Sequence, residues 1–230
     1  MPRKIKENKS KQRILHYFLK TKAGVLFSNW IFQGILYMER VEALFKALFD
    51  IIVFSIVYLV LSIKMSVTPA MISAVILAHT INWLFNGQLY VLGRYLGFTH
   101  TKPSRFIAYP DTIKRRLIKR KSIKAVAFFG GLSRGSFSKT SDLDTRIISQ
   151  AGLINSFIAC FWVFLERSLA LLYKYPLDIY VISKPDSFRK LDRNEYPIVL
   201  FDHTDELEKY YSHTQDFQKV KADFLNRYAS

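Results

Sequence analysis

Two apolar stretches without charged residues, joined by a short turn, constrain the fold of this chain most. They cover residues 51–63 and 67–85, and the turn between them carries Lys64. A bilayer span needs about 20 apolar residues, so each stretch is marginal for a span. Because the connection is short, we expect a helical hairpin, with Pro69 in the first turn of the second helix. A membrane hairpin is the favoured interpretation. The alternative is that these are buried helices of a soluble or interfacial domain.

The positive charge of the chain is concentrated beside this apolar region. The formal net charge is +16, and basic residues cluster at residues 3–22 and 114–124. Lysine and arginine are enriched on cytoplasmic flanks of membrane helices, so we expect a location at the cytoplasmic membrane, with both ends of the hairpin in the cytoplasm. Nucleic acid, anionic lipid or a phosphorylated substrate also suits such a charge. Residues 23–38, with Trp30 and Tyr37, fit a membrane interface or a packed amphipathic helix equally well.

The composition changes near residue 100, which divides the chain into two predicted parts. Residues 1–100 are interpreted as a basic arm followed by a helical, membrane-associated region, and residues 101–230 as a domain of alternating helices and strands. Such alternation predicts an α+β fold of the α/β type with a small mixed sheet. Residues 93–110 contain Gly, Pro, Thr and Ser and are predicted to be a linker.

The elements expected after the linker follow from periodicity and end signals. A basic helix at residues 111–121 is predicted first, with Asp111 as its N-cap. An unusually apolar helix between the second and third strands is expected to pack against the membrane half. The predicted strands are residues 125–129, 143–148 and 177–183, and the later helices are residues 152–174, 205–211 and 215–228.

The most informative stretch of the chain reads FFGGLSRGSFSKTSDLDTRII. Asp142 and Asp144 stand two residues apart at the head of a predicted strand, so their side chains share one face. Two such carboxylates repel each other unless a cation neutralises them, and Mg²⁺ suits this donor set. The adjacent Gly130 and Gly131 let backbone N–H groups approach an anion, and Arg134 adds a planar phosphate donor. The segment therefore combines a phosphate cradle with a metal clamp.

The sequence motifs also exclude several other kinds of site and segment. Ser138 stands where a Walker A motif needs glycine, the glycine spacing does not fit the dinucleotide fingerprint, and the kinase motifs are absent. The single cysteine, Cys160, excludes an internal disulfide, and no cluster of Cys and His suggests structural zinc. No secretory signal peptide is expected either, because no short apolar core with a cleavage site follows the basic start.

The glycine and aspartate blocks resemble those of the DNA polymerase β-like nucleotidyltransferase superfamily, and most closely its minimal nucleotidyltransferase branch. That pattern places Gly-Gly or Gly-Ser after a strand, then Asp-x-Asp after a short loop, then a third carboxylate on a later strand. Asp178, in the sequence LDIYV, matches the third carboxylate, and the resemblance covers residues 111–183. Gly131 stands where the family often has a serine, so the triphosphate contact of that serine must come from the backbone or from Ser133.

The resemblance implies transfer of a nucleoside monophosphate from an NTP to a hydroxyl or phosphate acceptor, with release of pyrophosphate. Asp142 and Asp144 would hold Mg²⁺, or alternatively Mn²⁺, on the triphosphate. Asp178 would help to hold a second ion and favour deprotonation of the acceptor. The residues that would bind the phosphates are Gly130, Gly131, Ser133 and Arg134.

The expected partners are therefore an NTP, the lipid bilayer and an acceptor such as a lipid or a lipid-linked sugar. A homo-oligomer stays open, and nucleic acid is less favoured. The alternative is a non-catalytic basic membrane protein, or a degenerate nucleotidyltransferase, that binds nucleic acid or anionic lipid through residues 114–124. Lys139 and Arg146 are interpreted as ordinary charged residues, and His79 and His203 as structural.

Polar residues in the hairpin suggest where a membrane acceptor would bind. In an antiparallel hairpin, Asp50 lies level with His79 and Asn82, and Lys46 lies level with Asn86. The three residues on the second helix share one face, and ionisable groups at such a depth usually face a partner or a wet cavity. One hypothesis is that the cluster holds the head of a membrane acceptor. The other is that it fixes the hairpin or binds a second copy of the chain.

Overall fold

The computed structural model shows a mixed α+β protein in which helices of the N-terminal half pack against a small sheet. It describes residues 19–35, 38–86, 89–97, 100–184, 187–188 and 195–228, with the backbone alone at residues 94 and 95. Tyr37 and most of the predicted basic arm lie outside the described residues.

The predicted helical hairpin is confirmed. Helix α1 (Lys22–Phe32) precedes it, helices α2 (Arg40–Ser62) and α3 (Val67–Asn86) form its two legs, and a short helix α4 (Leu89–Leu96) follows. Alanine recurs at every fourth position on the buried face of α3, with Ala74 fully buried at the centre of the row. Small side chains at this spacing let two helices approach closely along one face.

The rest of the hairpin surface is apolar and exposed. Near its far end, Ile56 is 58% exposed, Leu59 65% and Val67 61%. The hydroxyl of Ser55 donates to a carbonyl of its own helix, so it adds no unsatisfied donor to this surface. Among the described helices, α2, α3 and Leu153–Leu172 are long and apolar enough to cross a membrane. The hairpin thus presents a surface that a lipid environment would suit.

The described residues form a five-stranded mixed sheet. Its strands are β1 (Ile123–Phe128), β2 (Leu143–Ser149), β3 (Leu177–Ile182), β4 (Ile198–Asp202) and β5 (Gln215–Asp216). The order across the sheet is β3-β2-β1-β4-β5, with β2 parallel to β3, β4 parallel to β5, and β1 antiparallel to both of its neighbours. The three predicted strands are confirmed, and β4 and β5 were not predicted.

The linker predicted at residues 93–110 is wrong. Most of that stretch is helical, because helix α5 spans Pro103–Leu117 and begins at a proline that suits a first helical turn. Asp111 is therefore not an N-cap but lies inside α5, where its carboxylate accepts from Lys221 Nζ at 2.6 Å. Pro110 lies within the helix as well, which explains why the sequence pattern suggested a break.

The remaining helices follow the sheet. Helix α6 (Gly130–Ser133) is a single turn after β1, helix α7 (Leu153–Leu172) joins β2 to β3, and helix α8 (Phe217–Tyr228) ends the described chain. The helix predicted at residues 205–211 is wrong, since only a 3-10 turn at Leu207–Lys209 forms there.

Helix α7 lies between the sheet and the hairpin, as its apolar composition predicted. On one face it buries Val163 in the same core as the strands. On the other it packs against α2 through aromatic rings, with the centroids of Phe45 and Phe157 5.2 Å apart and those of Phe49 and Phe164 4.9 Å apart. The base of the hairpin and the sheet therefore share one packed interior.

Candidate active site

Three predicted carboxylates converge at the edge of the sheet where β2 and β3 begin. Asp142 immediately precedes β2, Asp144 is the second residue of β2, and Asp178 is the second residue of β3. Because these strands are parallel, Asp144 and Asp178 stand side by side in the register. Ligand oxygens from all three side chains lie within 4.8 Å of one another. The structure thus brings Asp178 to two carboxylates that lie more than thirty residues before it in the sequence.

The electrostatics of this cluster favour a bound cation. Burial raises the pKa of Asp178 above its usual value, the guanidinium of Arg146 lowers it in part, and the neighbouring Asp142 raises it. A carboxylate in such a position resists ionisation unless a positive charge joins it. Three hard oxygen donors within this distance fit a divalent ion such as Mg²⁺, which takes carboxylates together with phosphate oxygens.

Gly130 needs to be glycine for two reasons. Its φ of 68° lies in the left-handed region that side chains disfavour, and a Cβ at this position would overlap Asp144 Oδ2. The backbone of the α6 turn therefore approaches the carboxylate cluster as closely as the chain allows. At Gly131 a Cβ would lie 3.1 Å from the carbonyl oxygen of Ser136, so the serine that the family often has would be crowded there.

The predicted phosphate cradle binds an anionic oxygen of the protein itself. The N–H of Gly130 donates to Glu195 Oε1 at 2.6 Å, the hydroxyl of Ser133 donates to the same oxygen at 2.8 Å, and Arg134 Nη1 donates at 2.9 Å. Glu195 is largely buried, although the Arg134 side chain is 63% exposed. Three of the four predicted phosphate-binding residues thus converge on one carboxylate oxygen, and Gly131 contributes no described bond to it.

Sequence reasoning missed two further residues near the carboxylates. Arg146 and Tyr180 stand side by side in the register, two residues beyond Asp144 and Asp178 on the same face, and the guanidinium carbon of Arg146 lies 5.0 Å from the Tyr180 ring centroid. A Cβ on Gly34 would lie 3.1 Å from the hydroxyl oxygen of Tyr180, so the segment between α1 and α2 adjoins this face.

The polar residues of the hairpin meet in part as predicted: His79 lies beside Asp50, whereas Asn82 bonds the carbonyl of Lys46, which was predicted to lie level with Asn86. His79 Nδ1 lies 3.8 Å from an oxygen of Asp50, and Asn82 Nδ2 donates to the carbonyl of Lys46 at 3.2 Å. His79 also bonds the carbonyl of Trp30 on α1 at 2.8 Å. The bonds link both legs of the hairpin and α1, so they support the hypothesis that the cluster fixes the hairpin.

The basic run at residues 114–124 is partly engaged in internal contacts. Arg116 forms an ion pair with Glu166 at 2.5 Å, and Lys124 forms one with Glu206 at 3.3 Å. The guanidinium carbon of Arg120 lies 3.7 Å from the ring centroid of Trp162. Cations held in this way contribute less to a surface that binds polyanions.

Comparison of the chain with protein-family models, curated proteins and solved structures finds no match.

Without a cation, the raised pKa of Asp178 should make the protein less stable as pH rises. The folded state then holds a proton on this carboxylate that the unfolded state releases. The free energy of unfolding therefore falls as pH rises from the usual aspartate pKa through the raised pKa of Asp178. The loss is about 1.4 kcal/mol for each unit by which the two pKa values differ. We expect Asp178→Asn to remove this dependence and Mg²⁺ to stabilise the wild type but not the variant. Thermal unfolding from mildly acidic to neutral pH, with and without Mg²⁺, measures both effects. Equal stabilisation of the two proteins by Mg²⁺ would contradict the assignment.

Removal of the charge of Glu195 should free the cradle for an added anion. We expect Glu195→Gln to bind inorganic triphosphate at least tenfold more tightly than the wild type, a change of about 1.4 kcal/mol. Isothermal titration calorimetry measures this directly. Glu206→Gln is the matched control, because it makes the same charge change at a glutamate bonded to Lys124 and Lys209. Unchanged affinity in Glu195→Gln would show that these three donors do not form an anion site.

Proposed function

We propose that this chain is a membrane-anchored nucleotidyltransferase of the DNA polymerase β-like type. The observation that carries the proposal is the convergence of three carboxylates at the start of two neighbouring parallel strands, beside a glycine turn whose donors bind an anionic oxygen. A metal–triphosphate needs both kinds of group within one site, because its cation seeks carboxylates and its phosphates seek N–H donors. The proposed fold is supported by the order of strand, glycine turn, Asp-x-Asp strand and third-carboxylate strand within one sheet.

The carboxylates of Asp142, Asp144 and Asp178 would hold one or two divalent ions, with Mg²⁺ or Mn²⁺ as the suitable metals. When bound, such ions neutralise the triphosphate and stabilise the charge on the attacking and leaving oxygens.

The protein's own groups would position the substrates. In the reaction, an acceptor oxygen forms a bond to the α-phosphorus, the bond from that phosphorus to the bridging oxygen breaks, and pyrophosphate leaves. The Gly130 N–H, the Ser133 hydroxyl and the Arg134 guanidinium would bind the departing phosphates once Glu195 has moved out of the cradle. Asp178 would orient the acceptor and favour loss of its proton.

A membrane-resident acceptor is supported by Tyr180 and by the apolar surface of α1, which lie on one side of the site. Tyr180 is on the same strand face as Asp178 and adjoins the segment that links α1 to the hairpin. Helix α1 exposes large apolar side chains, with Phe27 51% and Phe32 53% exposed. A lipid or a lipid-linked sugar held at an apolar surface would therefore reach the carboxylates from this side, without entering the hairpin's own polar cluster. With both ends of the hairpin in the cytoplasm, the site faces the cytoplasm.

Substitution of either aspartate at the head of β2 tests the activity. We expect Asp142→Asn and Asp144→Asn to lower nucleotide transfer by several orders of magnitude and leave the fold intact, because each loses a cation ligand. The assay incubates the purified protein with each labelled NTP, Mg²⁺ and a membrane extract, and follows label in the lipid and aqueous fractions. Asp205→Asn, at an exposed aspartate outside the cluster, is the control. Near-normal transfer by both variants would exclude this active site, and label in no fraction with wild type would favour the non-catalytic alternative.

The hairpin should hold the protein in membranes. We expect the wild type to stay with the membrane fraction in high salt and to need detergent for release. Leu59→Lys should weaken this retention, because a lysine within a membrane helix costs about 2.5–3.5 kcal/mol. Leu172→Lys is the matched control, since Leu172 is similarly exposed, at 70%, but lies on α7. Recovery of the wild type as a soluble monomer without detergent would contradict the membrane proposal.

A further inference from the structure

Among the described strands, β3, which carries Asp178, lies at the edge of the sheet and pairs with β2 alone. An edge strand exposes backbone donors and acceptors that need other partners when they are buried. On the outer edge of β3, the carbonyl of Ile179 and the N–H of Val181 form hydrogen bonds with side chains of α7 and α2, and neither residue is exposed to solvent.

The side chains that bond these two backbone groups form a buried ion pair. Arg167 of α7 donates through Nη2 to the carbonyl oxygen of Ile179. Glu42 of α2 accepts the N–H of Val181 through Oε2 at 3.1 Å. The two side chains bond each other at 2.6 Å through Oε1, and each is only 1% exposed. The pair therefore takes the place that a further strand would have along β3.

The same pair ties both legs of the hairpin to β3. Glu42 lies in the first turn of α2, and Arg167 Nη1 donates to Asn86 Oδ1, at the end of α3, at 2.7 Å. Through this pair the hairpin is tied to the strand that carries the third carboxylate. One contact of the pair is at Ile179, the residue that directly follows Asp178.

We infer that Glu42 and Arg167 are positioning residues that set the place of Asp178 in the carboxylate cluster, so that docking of the hairpin is a condition for cation binding. This role rests on the proposed cation site. A metal site tolerates displacements of only about 0.5 Å in its ligands, and β2 is the one described strand that pairs with the strand of Asp178. Loss of the pair removes two hydrogen bonds from the outer edge of β3, at Ile179 and Val181, so the oxygens of Asp178 move relative to those of Asp142 and Asp144.

The test compares two buried glutamates that differ in whether they contact β3. Glu42→Gln removes one charge of the pair and keeps an oxygen that can accept the Val181 N–H. Glu166→Gln is the matched control, because Glu166 is also 1% exposed and pairs with an arginine, Arg116. That second pair joins α5 to α7, and its described hydrogen bonds do not include β3. Mn²⁺ affinity of the full-length protein in detergent, measured by electron paramagnetic resonance, is the readout, alongside thermal unfolding.

We expect Glu42→Gln to weaken Mn²⁺ binding at least tenfold and Glu166→Gln to stay within twofold of the wild type, although both lower the unfolding temperature. Arg167→Lys provides a second variant if Glu42→Gln does not fold, since a lysine keeps the charge but not the planar fork that reaches three acceptors. Equal effects at Glu42 and Glu166, or unchanged affinity in the Glu42 and Arg167 variants, would overturn the positioning role. A wild type that binds no Mn²⁺ would overturn the cation site itself and the positioning role with it.

Discussion

The buried ion pair of Arg167 and Glu42 is the interaction on which the arrangement of this protein depends. A charge removed from water costs several kcal/mol unless other groups replace its solvation. Here the charges meet each other, an asparagine and two backbone groups of β3, so the cost is offset at the point where hairpin, crossover helix and sheet meet. The change in composition near residue 100 is therefore not a boundary between separate interiors, since Val41 belongs to the same core as Ile147 and Val163.

Much of the fold could be predicted from local patterns. The hairpin legs and strands β1 to β3 carry strong apolar signals, and all but the first leg have nearly the predicted bounds; α2 begins at Arg40, well before the apolar stretch that starts at residue 51. The errors fall where tertiary contacts override local sequence. Pro110 and the polar residues around it suggest a linker, yet Phe106 and Ile113 bury one face of α5 in the core. Strand β5 has only two residues, and so short an element forms because β4 offers it an edge.

The candidate site, too, could be predicted from the sequence only in part. Asp142, Asp144 and the glycine turn could be identified because each depends on residues that are close together in the sequence. Asp178 is distant in the sequence and was identified from the motif pattern of the family it resembles. Glu195 could not, because a single glutamate some fifty residues after Asp144 carries no periodic or motif signal. Its role comes from the fold, which returns the chain to the turn after β1. Arg146 was interpreted as an ordinary charged residue, although alternation along β2 already places it on the face of Asp144; the register with β3 adds its contact with Tyr180.

Helix α7 has a consequence for how the chain is arranged about a bilayer. By length and composition it resembles a crossing segment, and three crossings, an odd number, would place α1 and α8 on opposite faces of a bilayer. Yet the two ends of α7 join two strands of one sheet, so α7 cannot cross a bilayer while that sheet stays on one face of it. Were the two legs of the hairpin to enter a bilayer, their even number would leave α1 on the same face as the carboxylate cluster.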